Sequence, residues 1–212
     1  MMKRYDLALE WYFRGIEKDR EYKDPHKNVS DIIDKVKLTD QQIREEMAKY
    51  KVEADFFYYH VGLAYYEKGR LNVALKYYKM ALEHQNKLTP SIYKLYNSMG
   101  IAYDELGDNG SALLFYNKSI ESNPKYHSAY YNTAIVYKKM NKIPEAITWY
   151  KKAIEVNPRY SYAYNNLGNI YKSQLNYEEA AKCYKDAVEH NSTYTLALAN
   201  MGICYMKLEN YR

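Results

Sequence analysis

The chain has 212 residues, 47% hydrophobic and 27% charged, with a formal net charge of +5, which suits a folded array or compact domains and excludes disorder over most of its length. Two cysteines form neither a disulfide framework nor a metal quartet, Met1 to Asp6 lacks a signal peptide's apolar core, and the most apolar stretch, 56–66, is too short and mixed to span a bilayer, so the chain reads as soluble, intracellular and cytoplasmic. Tyrosine is the outlier at 28 residues against 4 Phe and 2 Trp, and AT-rich coding does not explain it because Phe would rise too.

In chain order, residues 1–20 carry Tyr5, Ala8, Tyr12 and Gly15 at spacings of three and four, which predicts a helix. Residues 21–39 contain the polar, turn-like run Asp24-Pro25-His26-Lys27-Asn28 and are expected to form an irregular loop insert. Thr39 or Asp40 then offers an N-cap, with Gln42 or Glu45 nearby. From there Ile43, Met47, Tyr50, Ala54, Phe57 and Val61 continue at helical spacing, so one long helix is expected from Asp40 to Lys68. Lys87 to Pro90 reads as a longer turn, with Thr89 as cap and Pro90 in the first helical position.

Beyond Asp55 the chain repeats itself. Gly62, Gly100, Ala134, Gly168 and Gly202 each follow a large residue by four, at intervals of 38, 34, 34 and 34. Setting each as position 8 gives repeats at 40–88 (with an extended first helix), 93–126, 127–160 and 161–194, then a first helix alone at 195–212. Position 11 is Tyr65, Tyr103, Tyr137, Tyr171 and Tyr205. Position 20 is Ala74, Ala112, Ala146 and Ala180; position 24 is Tyr78, Tyr116, Tyr150 and Tyr184; position 27 is Ala81, Ser119, Ala153 and Ala187. Each repeat therefore carries two amphipathic helices. Small residues allow them to approach, and large rings fill the space beside them. Asn123-Pro124 and Asn157-Pro158 end the second helices. In the same frame Tyr5, Ala8, Tyr12 and Gly15 fall at positions 17, 20, 24 and 27, so residues 1–20 read as the second helix of an incomplete repeat. Starting and ending at nearly one phase points to a fragment of a longer array.

This pattern resembles the tetratricopeptide repeat family at position after position. The resemblance implies an all-α fold, a right-handed α-solenoid of antiparallel helix pairs. It also implies that first helices line a concave groove through positions 2, 5, 6, 9, 12 and 13. Position 6 reads His60, Ser98, Asn132, Asn166 and Asn200; position 5 reads Tyr59, Asn97, Tyr131, Asn165 and Ala199; position 9 adds Asn169. The in-phase amides of Asn132, Asn166 and Asn200 are similar to the asparagine ladder in the superhelix of O-GlcNAc transferase, where a donor and acceptor on each side chain suit the main chain of an extended peptide. Positions 12 and 13 turn from Tyr66-Glu67 and Asp104-Glu105 to Lys138-Lys139 and Lys172-Ser173. Basic Lys138 and Lys172 would steer a partner segment that is acidic.

Other chemistry finds little support. The five histidines make no metal-ligand spacing, there is no phosphate-binding glycine loop or nucleophile elbow, and no cofactor or catalytic residue is assigned. Of the family's chaperone-tail clamp, Asn169 and Asn200 match two elements. Asn165 stands where a lysine is needed, which argues against a chaperone tail as ligand. Lysines scattered around the helices argue against nucleic acid. The expected function is a non-catalytic scaffold that binds a protein or peptide, with no membrane role. Two alternatives stand: the recognition arm of a larger enzyme such as a glycosyltransferase, or an architectural subunit assembled through array ends, where Ile203 and Met206 face out from the final helix. Most tyrosines, including Tyr126, Tyr160 and Tyr194 at position 34, are accounted for by packing. Tyr59 and Tyr131 point by phase to the groove.

Overall fold

The structure, a computed structural model, describes residues 26–36, 39–49, 53–84 and 92–210. These form eleven helices and, among the described residues, no strand. The chain divides into two compact units, 1–106 and 107–212.

In the first unit, α1 (His26–Val36), α2 (Asp40–Lys49), α3 (Ala54–Glu67), α4 (Leu71–Glu83) and α5 (Ile92–Glu105) follow one another. Helices α3 and α4 form a hairpin, and both meet α5. Helix α1 corrects the expectation of an irregular 21–39 insert. Val29, Ile32 and Ile33 recur at spacings of three and four, are buried, and belong to a helix packed on α3. Its acidic side is tied to the α3–α4 turn. Asp34 accepts from the Tyr65 hydroxyl at 2.8 Å and pairs with Arg70 at 2.8 Å, while Lys68 pairs with Asp31 at 2.6 Å.

The single long helix expected over 40–68 is also corrected. It is two helices, with Glu53 in extended backbone (φ −65°, ψ 128°) ahead of α3. Helical spacing records which residues are buried, and two short helices satisfy it as well as one. Thr39 does cap α2: the Gln42 amide donates to Thr39 Oγ1 at 3.2 Å, and the Thr39 amide donates back to Gln42 Oε1 at 3.0 Å. The half repeat at 1–20 and the Thr89-Pro90 turn lie outside the described residues.

The second unit holds α6 (Asn109–Ser122), α7 (His127–Lys139), α8 (Ile143–Val156), α9 (Ser161–Ser173), α10 (Tyr177–His190) and α11 (Thr195–Asn210). Helices α7 with α8 and α9 with α10 form hairpins, and each helix from α6 to α11 packs on the next in sequence. This is the helix-pair stacking of an α-solenoid. The position-24 rings Tyr116, Tyr150 and Tyr184 are buried, as is Tyr78 in the first unit. Position 8 explains why small residues recur. A Cβ on Gly168 would lie 2.8 Å from the Tyr184 ring, and one on Gly62 would lie 2.4 Å from the Tyr78 ring.

Two loop devices repeat as well. Each first helix hands over to its second through a left-handed residue at position 15: Gly69 (φ 71°), Gly107 (φ 80°), Asn141 (φ 59°) and Leu175 (φ 62°). After each second helix of this unit, an asparagine side chain folds the backbone onward. Asn123, Asn157 and Asn191 accept through Oδ1 from the amides of Lys125, Arg159 and Thr193. Repetition of turns, not only of core positions, keeps successive helices in phase.

Candidate functional site

In the second unit the first helices of the repeats are α7, α9 and α11, and the predicted groove residues sit on them at the same register. Helical spacing puts positions 5, 6, 9 and 12 on one side of each helix, so side chains from adjacent first helices can meet. The Asn166 side-chain amide donates to the Tyr131 hydroxyl at 2.9 Å, and Asn165 Nδ2 approaches Asn166 Oδ1 at 3.5 Å. One repeat on, Asn169 Oδ1 accepts from the Tyr184 hydroxyl at 2.8 Å and from Asn200 Nδ2 at 3.4 Å. Lys172 Nζ donates to Asn200 Oδ1 at 2.7 Å and lies 5.9 Å above the Tyr184 ring.

These bonds make two polar clusters. Tyr131 with Asn166 links α7 to α9, and Asn169, Lys172, Tyr184 and Asn200 link α9, α10 and α11. The second cluster holds an ammonium group against neutral amides, and no carboxylate pairs with Lys172 among the described residues. Burial pushes the Tyr131 hydroxyl above its ordinary pKa, so it stays protonated and is able to donate.

The remaining candidates are placed as follows. Asn132 is half-buried on α7, and Lys138 is exposed near that helix's C-terminal end. Asn165 is only 4% exposed, and its Oδ1 has no hydrogen-bond partner. In the first unit Asn97 is buried, Tyr59 reaches Ser98 Oγ at 3.4 Å, and His60 packs on Phe56 with ring centroids 4.1 Å apart. Tyr66 donates to the Glu105 carboxylate. Burial, and then this bond, pushes the hydroxyl up to about 12. Position 5 thus carries half-buried rings as well as buried amides.

Repeat position did not single out the aromatic residues Tyr160, Tyr162 and Tyr194, which lie in a run of ring contacts with Tyr131, although the resemblance counts position 2, that of Tyr162, among the groove positions. The cysteines offer no nucleophile. Cys183 and Cys204 are buried, and burial pushes the Cys183 thiol up to about 12. Among the described residues no cluster of histidine, cysteine, aspartate and glutamate could hold a metal ion, and no helix is long and apolar enough to cross a membrane.

Comparison with known proteins agrees with the repeat fold. Tetratricopeptide repeat models match residues 56–125, 115–148 and 161–194, and a TPR repeat model matches residues 136–175. The Photosystem I assembly protein Ycf3 of Acaryochloris marina is 34% identical over 105 residues, covering 50% of this chain and 57% of that protein. The Ycf3 of Rippkaea orientalis is 35% identical over 85 residues, covering 40% and 49%. The chain thus spans about half the length of these curated relatives. The crystal structure of YrrB, a TPR protein with an unusual peptide-binding site, superposes with a TM-score of 0.58 at 20% identity. The superposition covers 90% of this chain and 97% of YrrB, and at that identity it speaks to the fold alone.

Proposed function

The chain belongs to the tetratricopeptide repeat family, whose repeats mediate contacts between proteins, and we propose that it is a non-catalytic scaffold holding an extended partner segment along α7, α9 and α11. The observation that carries this reading is Lys172. Its ammonium sits among groove amides with a neutral oxygen, Asn200 Oδ1, as its hydrogen-bond acceptor. A carboxylate from a partner is a stronger acceptor for that ammonium, so an acidic side chain would displace the amide. The freed Asn200, with Asn132 and Asn166, then supplies donors and acceptors to the partner's main chain. Exposed Lys138 adds long-range attraction for the same acidic segment. The scaffold acts in an aqueous compartment of the cell.

A labelled extended peptide with central aspartates tests this reading by fluorescence anisotropy. Lys172→Ala should weaken binding by about 1.5–3 kcal/mol, the range of a hydrogen bond to a charged group. Asn166→Ala should cost about 1–2 kcal/mol, with helicity unchanged by circular dichroism. Unchanged affinity in both variants would sink the groove reading.

The similarity to Ycf3 favours a second reading, that the scaffold holds a partner transiently during assembly of a larger complex. Exposed Ile203 and Met206 on α11 supply apolar surface for such contacts. Copurification of the chain with partly assembled complexes, and not with finished ones, is the outcome this reading requires.

A further inference from the structure

A run of aromatic rings crosses the second unit at the N-terminal ends of α7, α9 and α11. Tyr126 lies 6.3 Å from His127, His127 lies 4.4 Å from Tyr160, Tyr160 lies 5.8 Å from Tyr162, and Tyr162 lies 5.4 Å from Tyr194, measured between ring centroids. Tyr131 joins the run at Tyr160, 5.2 Å away. Tyr126, Tyr160 and Tyr194 stand at one repeat position, ahead of successive first helices, so the stacking of repeats itself sets ring beside ring. The run is open to solvent: Tyr162 is 50% exposed, and Tyr126, Tyr131, Tyr160 and Tyr194 are half-buried.

The chemistry of this rim selects its occupant. Aromatic faces are electron-rich and repel a carboxylate. Lys125 and Arg159 precede Tyr126 and Tyr160 in sequence and oppose a cationic segment. The rim itself offers phenol hydroxyls. Burial, followed by the neighbouring phenols, holds Tyr160 protonated as a donor. What complements neutral rings with hydroxyl donors is a neutral chain that has flat apolar side groups and unpaired carbonyls. A polyproline II segment fits this description, because its backbone makes no internal hydrogen bonds and its carbonyls point outward. One of its turns advances about 9 Å, a little less than two steps of the rim, whose rings stand 4.4 to 6.3 Å apart.

We propose that the tyrosine rim of α7, α9 and α11 docks a proline-rich, uncharged stretch of the partner in the polyproline II conformation, an inference that rests on the groove reading above. Tyr162, between Tyr160 and Tyr194, is the central contact. The acidic stretch of the same partner would lie at Lys172, on the helix that carries Tyr162.

The test uses the full chain and three labelled peptides of equal length: repeated Pro-Pro-Ala units, repeated Gly-Ser units, and the aspartate peptide. The expected result is that the proline peptide binds more tightly than the glycine-serine peptide. Tyr162→Ala should weaken it about tenfold or more, and Lys172→Ala should leave it unchanged. Tyr162 is half exposed, so its removal should preserve the helical signal, which circular dichroism checks. The rim proposal is overturned if the proline peptide binds no better than the glycine-serine peptide, or if Tyr162→Ala leaves its affinity intact. The aspartate peptide reports separately on Lys172, so failure of the groove reading and failure of the rim are distinguishable.

Discussion

The side-chain amide of Asn166 donates to the hydroxyl of Tyr131 at 2.9 Å, tying two first helices together across 35 residues of sequence. The bond uses a residue from each of two adjacent repeats, at positions 5 and 6, so the candidate groove residues are themselves an inter-repeat contact. Two consequences follow for Asn166. It stabilises the stack by itself, and on the groove reading proposed above its amide would exchange Tyr131 for a peptide carbonyl. A double-mutant cycle of Tyr131→Phe and Asn166→Ala, measured by urea unfolding, should give a coupling of about 1 kcal/mol. A coupling near zero would show that the two side chains act independently.

Glycine at position 8 has opposite meanings in two repeats. At Gly168 an added Cβ meets the Tyr184 ring at 2.8 Å, whereas at Gly202 nothing lies within 4 Å. Gly168→Ala should therefore push a buried ring and cost about 1–3 kcal/mol, the range for overpacking. Gly202→Ala has open space and gains helix propensity, so it should be neutral or stabilising by up to about 1 kcal/mol. Thermal melts of the two variants should move in different directions or by clearly different amounts. Equal losses would mean that the ring does not set the requirement for a small residue.

That contrast also marks how far the sequence could be read. Spacing alone located Gly62 and Gly168 with Tyr78 and Tyr184, because a repeated small-and-large pattern is a direct record of packing. It also narrowed the cap of α2 to Thr39 or Asp40, and the reciprocal bonds between Thr39 and Gln42 decide for Thr39. The same reasoning failed at α1. There the polar run beside Pro25 suggested a loop while Val29, Ile32 and Ile33 already carried helical spacing. It failed again over 40–68, where periodicity is blind to the extended Glu53. In the candidate site, phase put Tyr131 and Asn166 at positions 5 and 6 of adjacent first helices. It could not show that they bond to each other, since that depends on rotamers and on how closely neighbouring repeats approach. Tyr160 and Tyr194 were assigned to packing, and their membership of an open ring run with Tyr162 emerges only when successive loops are set side by side.

The cap of α6 should impose a pH dependence. Asp108 accepts from the Ser111 amide at 3.0 Å and from the Ser111 hydroxyl at 2.6 Å. The hydroxyl and then the amide hold the carboxyl below the usual carboxylate range. Because the folded value is lowered, the cap's contribution is complete above the unfolded carboxylate value and is lost as pH falls through the folded one. The difference in urea midpoint between the native chain and Asp108→Ala should be full near neutral pH and shrink in acid. A difference that stays constant down to strongly acidic conditions would mean that the charge of Asp108 contributes nothing to the cap.

Leu175 occupies a backbone position that leucine tolerates poorly. At φ 62° it closes the turn from α9 to α10: its amide donates to Lys172 O, and the Asn176 amide donates to Tyr171 O, each at 3.0 Å. Gly69 and Asn141 make the same pair of bonds in their own repeats, through Tyr66 and Tyr65 and through Lys138 and Tyr137. The turn therefore demands the left-handed region whatever residue stands there, and a non-glycine residue is strained by roughly 1–2 kcal/mol. The leucine side chain returns little, being 67% exposed. Leu175→Gly relieves the strain but adds unfolded-state entropy worth about 0.5–1 kcal/mol, so the net gain should be about 0.5–1 kcal/mol. Leu175→Asn should gain less. In the reverse change, Gly69→Leu, the added Cβ meets no atom within 4 Å, so the expected loss of about 1–2 kcal/mol comes from the backbone conformation. Unfolding curves for the three variants decide the matter, and a destabilising Leu175→Gly would show that contacts of the leucine outweigh its backbone strain.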